Sequence, residues 1–197
     1  MAWKTPSKDM PSGIAALMLT LLLFGCATAT PYQPEIAGQR VSGGYSDTRI
    51  ADDSYRVHFS GNFLTSRETV EGYLLYRAAE LTLQNDKDWF RMVDHTTERD
   101  RRTYVDRRPR YRPWYGYGYW RPHWRYYRGG RWTIWHPYGG DPFWYDDIDV
   151  RTVERFEADA VIVMHDYPID DDAERSFDAR QVIADLEPRI KRPEESS

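Results

Sequence analysis

The single cysteine of this 197-residue chain, Cys26, is the residue whose position most clearly indicates a chemical modification. It follows an apolar run, residues 14–24, that is long enough for an export signal and too short to span a bilayer as a helix. Lys4 and Lys8 precede that run. A thiol at such a junction can be joined to a diacylglycerol, and two or three acyl chains hold a protein stably in a membrane. The pattern predicts a signal peptide over residues 1–25 and lipidation of Cys26, with an ordinary secretory signal or a short buried helix as alternatives.

The residue after the cysteine is Ala27 rather than aspartate. By analogy with a sorting rule of Gram-negative lipoproteins, this choice favours the periplasmic side of the outer membrane. With one cysteine the chain can form no internal disulfide, so an apolar core must stabilise it.

A second chemistry-bearing segment, residues 104–145, combines aromatic rings with arginines. It holds six of the eight tryptophans and nine of the fifteen tyrosines. Aromatic faces stack on sugar rings or lie at lipid headgroups, and guanidinium groups bind phosphate or carboxylate. We therefore expect a surface for lipopolysaccharide, peptidoglycan or an envelope protein. Its candidate contact residues are Trp114, Trp120, Arg121, Trp124, Arg125, Trp132 and Trp135.

Two other interpretations of this segment stay open. It could be a low-complexity loop, or a hairpin whose arginines and aromatic rings pack on one another through cation–π contacts. Nucleic acid is not an expected partner, because the chain carries a net charge of −4.

Catalytic and metal-binding patterns are absent from the sequence. The five histidines are scattered, and the acidic runs at 146–149 and 170–172 lack the spacing of a calcium loop. His165 and Asp166 follow a predicted strand, where a polar strand end is the simpler interpretation. No nucleophile elbow or phosphate-binding glycine loop occurs. We expect no cofactor, no metal and no enzymatic activity.

The elements that would position these residues follow from hydrophobic periodicity. Alternation of apolar and polar residues predicts strands over 54–60, 89–93 and 155–164. Thr65 and Glu68 resemble a capping box at the start of a long helix that ends near residue 85.

A short helix is predicted between Asp178 and Pro188, with Asp178 and Gln181 as its capping pair. The expected fold is α+β, with a small sheet of about three to five strands and one long and one short helix packed on it in two layers. The predicted organisation is a flexible tether at 26–47, a domain from 48–98 and 146–190, an irregular insertion at 99–145, and a disordered tail at 191–197.

Arg77 interrupts the apolar stripe of the long helix. We expect it to be half-buried against an acidic side chain of the sheet, with Glu157 or Asp159 as candidates, and to pair with Glu80. Gly61 and the asparagine after it are predicted to form a tight turn that uses positive φ.

Several segments resemble a proteobacterial family of small envelope lipoproteins. They read TPYQP at 30–34, GYS at 44–46, VHFSGN at 57–62, RAAELT at 77–82, and DARQVI and LEPRI at 178–183 and 186–190. The resemblance implies a lipid-anchored envelope protein and assigns no reaction or catalytic residue. From the sequence as a whole we expect a structural or binding role, with an accessory subunit of an envelope assembly as the main alternative and an enzyme with an unrecognised site as a third.

Overall fold

The computed structural model describes residues 28–93, 117, 120–135, 155–169 and 175–193. These residues form two helices, a short 3₁₀ turn and seven strands. The strands are β1 (Gly44–Ala51), β2 (Ser54–Ser60), β3 (Trp89–Val93), β4 (His123–Arg128), β5 (Arg131–Trp135), β6 (Arg155–His165) and β7 (Ser176–Asp178). The helices are α1 (Arg67–Gln84) and α2 (Ala179–Leu186), and the 3₁₀ turn is Glu187–Arg189.

The long strand β6 organises the sheet. It pairs with β2 along one edge, and its opposite edge pairs with β4 near its start and with β3 near its end. Strands β1, β5 and β7 lie beyond β2, β4 and β3, and every strand pairing is antiparallel. The predicted α+β class is confirmed, as are the strands at 54–60, 89–93 and 155–164. The described sheet holds seven strands because β1, β7 and the β4–β5 hairpin add to the three that periodicity revealed.

Alternation along β6 separates the two faces of the sheet. Ala158, Ala160, Ile162 and Met164 lie in the core with residues of α1. Glu157 is on the other face, because side chains of a strand point alternately to opposite sides.

Helix α1 is buried on nearly all sides rather than along one stripe. Every residue from 70 to 79 is buried, because the sheet covers one side and chain segments at both ends of the domain cover others. The helix begins one residue later than the predicted capping box. Its N-cap is Ser66, whose hydroxyl accepts the Thr69 N–H at 3.2 Å. The second helix agrees with its prediction: Asp178 accepts the Gln181 N–H at 2.9 Å, and the α-helix ends before Pro188.

The predicted tether is wrong over most of its described length. Thr30 and Tyr32 are buried. Thr30 is held by three hydrogen bonds of 2.8 Å: its N–H donates to the Thr65 hydroxyl, and its own hydroxyl accepts the Asn62 N–H and donates to the Ser42 carbonyl. The Tyr32 hydroxyl donates to Glu80 at 2.6 Å. Proline and glycine suggested a flexible segment, but these contacts with distant residues fix it to the domain.

Segments that carry the family resemblance lie against one another in the fold. Thr30 contacts Asn62 and Tyr32 contacts Glu80. The Tyr32 N–H also donates to the carbonyl of Lys191, the residue directly after the last of these segments, at 2.7 Å. The motifs therefore share a structural task, which is to fix the start and the end of the domain onto α1.

Arg77 is buried against the sheet as expected, but its partner there is neither Glu157 nor Asp159. Its Nε donates to both carboxylate oxygens of Asp47 at 3.1 Å, and its Nη1 pairs with Glu80 as predicted. Glu157 and Asp159 could not serve, because they lie on the face of β6 that points away from α1.

Gly61 is required for a different reason from the one predicted. Neither Gly61 nor Asn62 adopts positive φ. A Cβ on Gly61 would lie 2.8 Å from the Cβ of Thr65, so the chain approaches too closely for a side chain. Asn62 instead fixes the turn through its side chain, whose Oδ1 accepts the Leu64 N–H at 3.0 Å.

The insertion and the tail also depart from prediction. Residues 123–135 form a regular hairpin that joins the sheet, so this part of 99–145 is not irregular. Lys191 belongs to the folded domain, because its N–H donates to the Tyr73 hydroxyl at 3.0 Å. Residues 194–197 lie outside the described residues.

Candidate functional site

The sheet presents one face that none of the described helices covers. Helices α1 and α2 pack on the face that carries Val57, Phe59 and Ile162. The opposite face, called the open face here, carries polar and charged side chains of β2, β4 and β6. A sheet surface that the described helices leave free is a suitable place to contact a large ligand.

The structure divides the predicted ligand residues between the core and this surface. Trp120, Trp124 and Trp135 are at most 1% exposed, so the prediction that they contact a ligand is wrong. They fill the core instead: Trp124 packs against Trp135 with ring centroids 5.6 Å apart, and Trp120 packs edge-on against Phe177.

The remaining predicted residues lie at the surface or outside the described part. Arg121 and Arg125 are exposed, and Trp132 is half-buried. Trp114 and Cys26 lie outside the described residues, as do the acidic runs at 146–149 and 170–172.

The hairpin places a connected row of side chains on the open face. Arg125 and Tyr127 of β4 alternate with the core residue Trp124, and Tyr127 lies in register with Trp132 of β5. The two rings are 5.4 Å apart. The guanidinium of Arg125 lies 5.1 Å from the Trp132 ring, and that of Arg155 lies 5.9 Å from the Tyr127 ring. The predicted alternative of a hairpin with cation–π packing is therefore confirmed for residues 123–135.

Glu157 completes this row, and we call Arg125, Tyr127, Trp132, Arg155 and Glu157 the hairpin platform. The Glu157 carboxylate pairs with Nη1 of Arg125 at 2.7 Å. Burial raises the pKa of Glu157, while the nearby charges of His58 and Arg125 act in the opposite direction. The ion pair fixes the guanidinium of Arg125 beside the ring of Trp132.

A second polar row borders the platform on three neighbouring strands. Asp159 of β6 lies in register with His58 of β2 on one side and with His123 of β4 on the other. Within the described ranges, no group of three or more His, Cys, Asp or Glu side chains is arranged to hold a metal ion. The row is polar and lies next to the aromatic part of the open face.

The platform combines two kinds of recognition. Tyr127 and Trp132 offer ring faces of the type that packs on the flat apolar side of a sugar. The guanidinium groups of Arg125 and Arg155 lie over Trp132 and Tyr127. Guanidinium groups form paired hydrogen bonds with carboxylate or phosphate. Arg128 and Arg131 are exposed at the hairpin turn and add positive charge. The arrangement suits a sugar polymer that carries acidic groups.

Sequence reasoning missed three members of the platform: Tyr127, Arg155 and Glu157. The signal was present in the alternation of β6, which places Arg155 and Glu157 together on its polar side. In the hairpin, the alternation was hidden because both faces carry aromatic residues.

His165 has polar and aromatic neighbours among the described residues, whereas the acidic runs at 146–149 and 170–172 lie outside them. Its ring stacks on Trp89 with centroids 4.3 Å apart, and the neighbouring Asp166 pairs with Lys87 at 2.9 Å. Both arrangements agree with the interpretation of a polar strand end.

Among the described residues, no helix is both long enough and apolar enough to cross a membrane. No protein-family model, curated protein or solved structure matches the chain. The family resemblance noted in the motifs stays a prediction.

Proposed function

We propose that this chain is a lipid-anchored protein of the bacterial cell envelope, attached through Cys26 to the periplasmic side of the outer membrane, whose hairpin platform binds an acidic envelope glycan. Its role is binding rather than catalysis. Peptidoglycan is the preferred ligand, because it combines sugar rings with carboxylates of its peptide stems. Lipopolysaccharide, whose anionic groups include phosphates, is the comparison ligand.

One observation carries the binding part of this proposal. Two aromatic side chains, Tyr127 and Trp132, are held on the open face between two arginines, whereas the neighbouring tryptophans of the same hairpin are committed to the core. Burial of Trp124 and Trp135 leaves Trp132 as the tryptophan that the hairpin presents outward. Its position is pre-organised by the ion pair of Arg125 with Glu157, which lowers the entropy lost on binding.

Binding of the purified protein to insoluble peptidoglycan tests this proposal. We expect the wild-type protein to co-sediment with peptidoglycan and the Trp132→Ala variant to stay largely in the supernatant. Stronger binding to lipopolysaccharide than to peptidoglycan would identify lipopolysaccharide as the ligand instead. Binding to neither would contradict the proposed glycan-binding function.

A second candidate is an accessory role in an envelope protein assembly. Strand β5 pairs only with β4 among the described strands, so its outer edge offers backbone groups to a partner strand. Ile134 on this strand is 64% exposed. A protein that co-purifies in equal amounts from detergent extracts and is lost from an Ile134→Lys variant would favour this candidate over glycan binding.

A further inference from the structure

A cavity of about 830 Å³ lies beside the first described residues, away from the open face of the sheet. Its walls come from the segment that begins at Thr28, from the first half of α1, and from the chain after α2. None of the platform residues lines it. The cavity is therefore a separate feature of the molecule.

The lining of the cavity is strongly positive. Among the described lining residues, Arg40, Arg189, Lys191 and Arg192 contribute cationic side chains, and Glu68 contributes the one acidic side chain. Arg192 is engaged with Glu187 at 2.7 Å. Arg40 and Lys191 are exposed, and neither makes an ion pair with any part of the chain that the structure describes.

The walls are fixed by hydrogen bonds that do not involve these cationic side chains. The backbone of Lys191 donates to Tyr73 and accepts from Tyr32, at 3.0 and 2.7 Å. The Gln33 side chain donates to the carbonyl of Val41 at 2.7 Å, next to Arg40. The walls of the cavity are thus formed by the chain itself, and the side chains of Arg40 and Lys191 stay available to a ligand.

The cavity lies close in the chain to Cys26, the proposed lipid anchor. The carbonyl of Thr28 accepts from Nδ2 of Asn62 at 2.7 Å, so the chain is fixed to the domain at that residue. Cys26 precedes Thr28 by two residues, which span at most about 7 Å. The polar headgroup layer on each side of a bilayer is of similar thickness, roughly 5–7 Å. An acyl group on Cys26 would therefore hold this cavity at the depth of the lipid headgroups.

We propose that the cavity binds the headgroup of an anionic phospholipid from the leaflet that holds the Cys26 acyl chains. Arg40 and Lys191 contact the phosphate, and the domain rests on the membrane surface rather than standing clear of it. The orientation rests on the proposed lipidation of Cys26, whereas the anion site rests on the cavity alone.

Calorimetric titration of the native acylated protein in a non-ionic detergent tests the site. The ligands are dihexanoyl-phosphatidylglycerol, dihexanoyl-phosphatidylcholine and inorganic phosphate. We expect the phosphatidylglycerol to bind about tenfold or more tightly than either of the others. The Arg40→Glu/Lys191→Glu variant should lose about tenfold or more of that affinity, because each cationic contact contributes measurably to anionic lipid binding.

Matched charge reversals elsewhere provide the control. Arg49 and Arg91 are exposed and do not line the cavity, so the Arg49→Glu/Arg91→Glu variant should bind as the wild type does. The milder Arg40→Gln/Lys191→Gln variant should show an intermediate loss.

Three results would overturn the proposal: equal affinity for all three ligands, no binding of any, or equal affinity of the two charge-reversed variants. Mass spectrometry of the same sample reports acylation of Cys26 independently. A failure of the anchor can therefore be distinguished from a failure of the cavity.

Discussion

Nε of Arg77 lies 3.1 Å from each carboxylate oxygen of Asp47, and this contact joins the middle of α1 to the edge strand β1. Burial by itself would lower the pKa of Arg77, but its hydrogen bonds and ion pairs with Asp47 and Glu80 outweigh that effect and raise it. The guanidinium also lies 4.3 Å from the ring of Tyr45. Arg77 is therefore a permanent charge that holds the helix, the edge strand and the first segment of the domain together.

Replacement of Arg77 by methionine should lower the free energy of unfolding by about 3 kcal/mol, because it removes the cation that pairs with the carboxylates of Asp47 and Glu80. Urea denaturation measures this loss. The control is Arg91→Met at an exposed position of β3, which should change stability by less than about 0.5 kcal/mol. Equal stability of the two variants would show that the network contributes nothing.

Tyr32 should make the protein sensitive to alkali. Burial, followed by its hydrogen bond to Glu80, raises the pKa of Tyr32 well above 10, so the folded state keeps the proton that the unfolded state loses. Stability should therefore fall as the pH rises above 10, by about 1.4 kcal/mol per pH unit for such a tyrosine. Burial similarly raises the pKa of Tyr76, to about 12, so it adds to the loss between pH 10 and 12.

The Tyr32→Phe variant isolates this contribution. It should lose about 1 kcal/mol at neutral pH with the hydrogen bond, but its stability should fall less steeply above pH 10. Chemical denaturation at pH 8, 10 and 11 measures both effects. If the free energy of unfolding falls equally steeply above pH 10 in both proteins, Tyr32 does not cause the loss of stability at alkaline pH.

Two glycines should respond differently to alanine. Gly61→Ala places a Cβ 2.8 Å from that of Thr65 and should cost about 2 kcal/mol through overpacking. Gly129 has φ of +56° at the hairpin turn with nothing near its Cβ position, so Gly129→Ala should cost only the backbone strain, about 1 kcal/mol. Thermal denaturation compares them, and a larger loss at Gly129 would contradict the close-approach explanation.

The anchor has its own test. The Cys26→Ser variant should not be acylated, because serine has no thiol with which to form the thioether bond. Mass spectrometry of the N-terminal peptide should show the added acyl mass in the wild type and not in the variant. Membrane fractionation that does not differ between the two would argue against lipidation.

Periodicity predicted the strands whose two faces differ in polarity. Strand β6 alternates between core residues such as Ala158 and polar residues such as Glu157, and this pattern was sufficient to predict the strand. In β4, Trp124 points to the core and Tyr127 to the open face, so hydrophobicity could not separate the sides. The pair Gly129–Gly130, with φ of +56° and +78°, is a two-residue hairpin signal that the sequence already contained.

Contacts between residues that are far apart in the sequence could not be predicted from local sequence patterns. Nothing local indicates that Thr30 binds Asn62 or that Tyr32 binds Glu80, so a segment rich in proline and glycine resembled a tether. The burial of individual tryptophans was not predictable either, because residue type alone does not distinguish the buried Trp135 from the half-buried Trp132.

Substitutions of Trp135 and Trp132 should separate an effect on stability from an effect on ligand binding. Trp135→Ala removes a fully buried ring and should cost about 3–5 kcal/mol of stability. Trp132→Ala should leave the fold nearly as stable as the wild type, because its ring lies on the open face.

The affinity of the native protein for peptidoglycan, measured by sedimentation over a range of protein concentrations, tests the proposed function most directly. The proposed function predicts that Trp132→Ala weakens binding about tenfold or more while its unfolding curve stays close to that of the wild type, and that Trp132→Phe keeps most of the affinity. Wild-type affinity in a folded Trp132→Ala variant would contradict it.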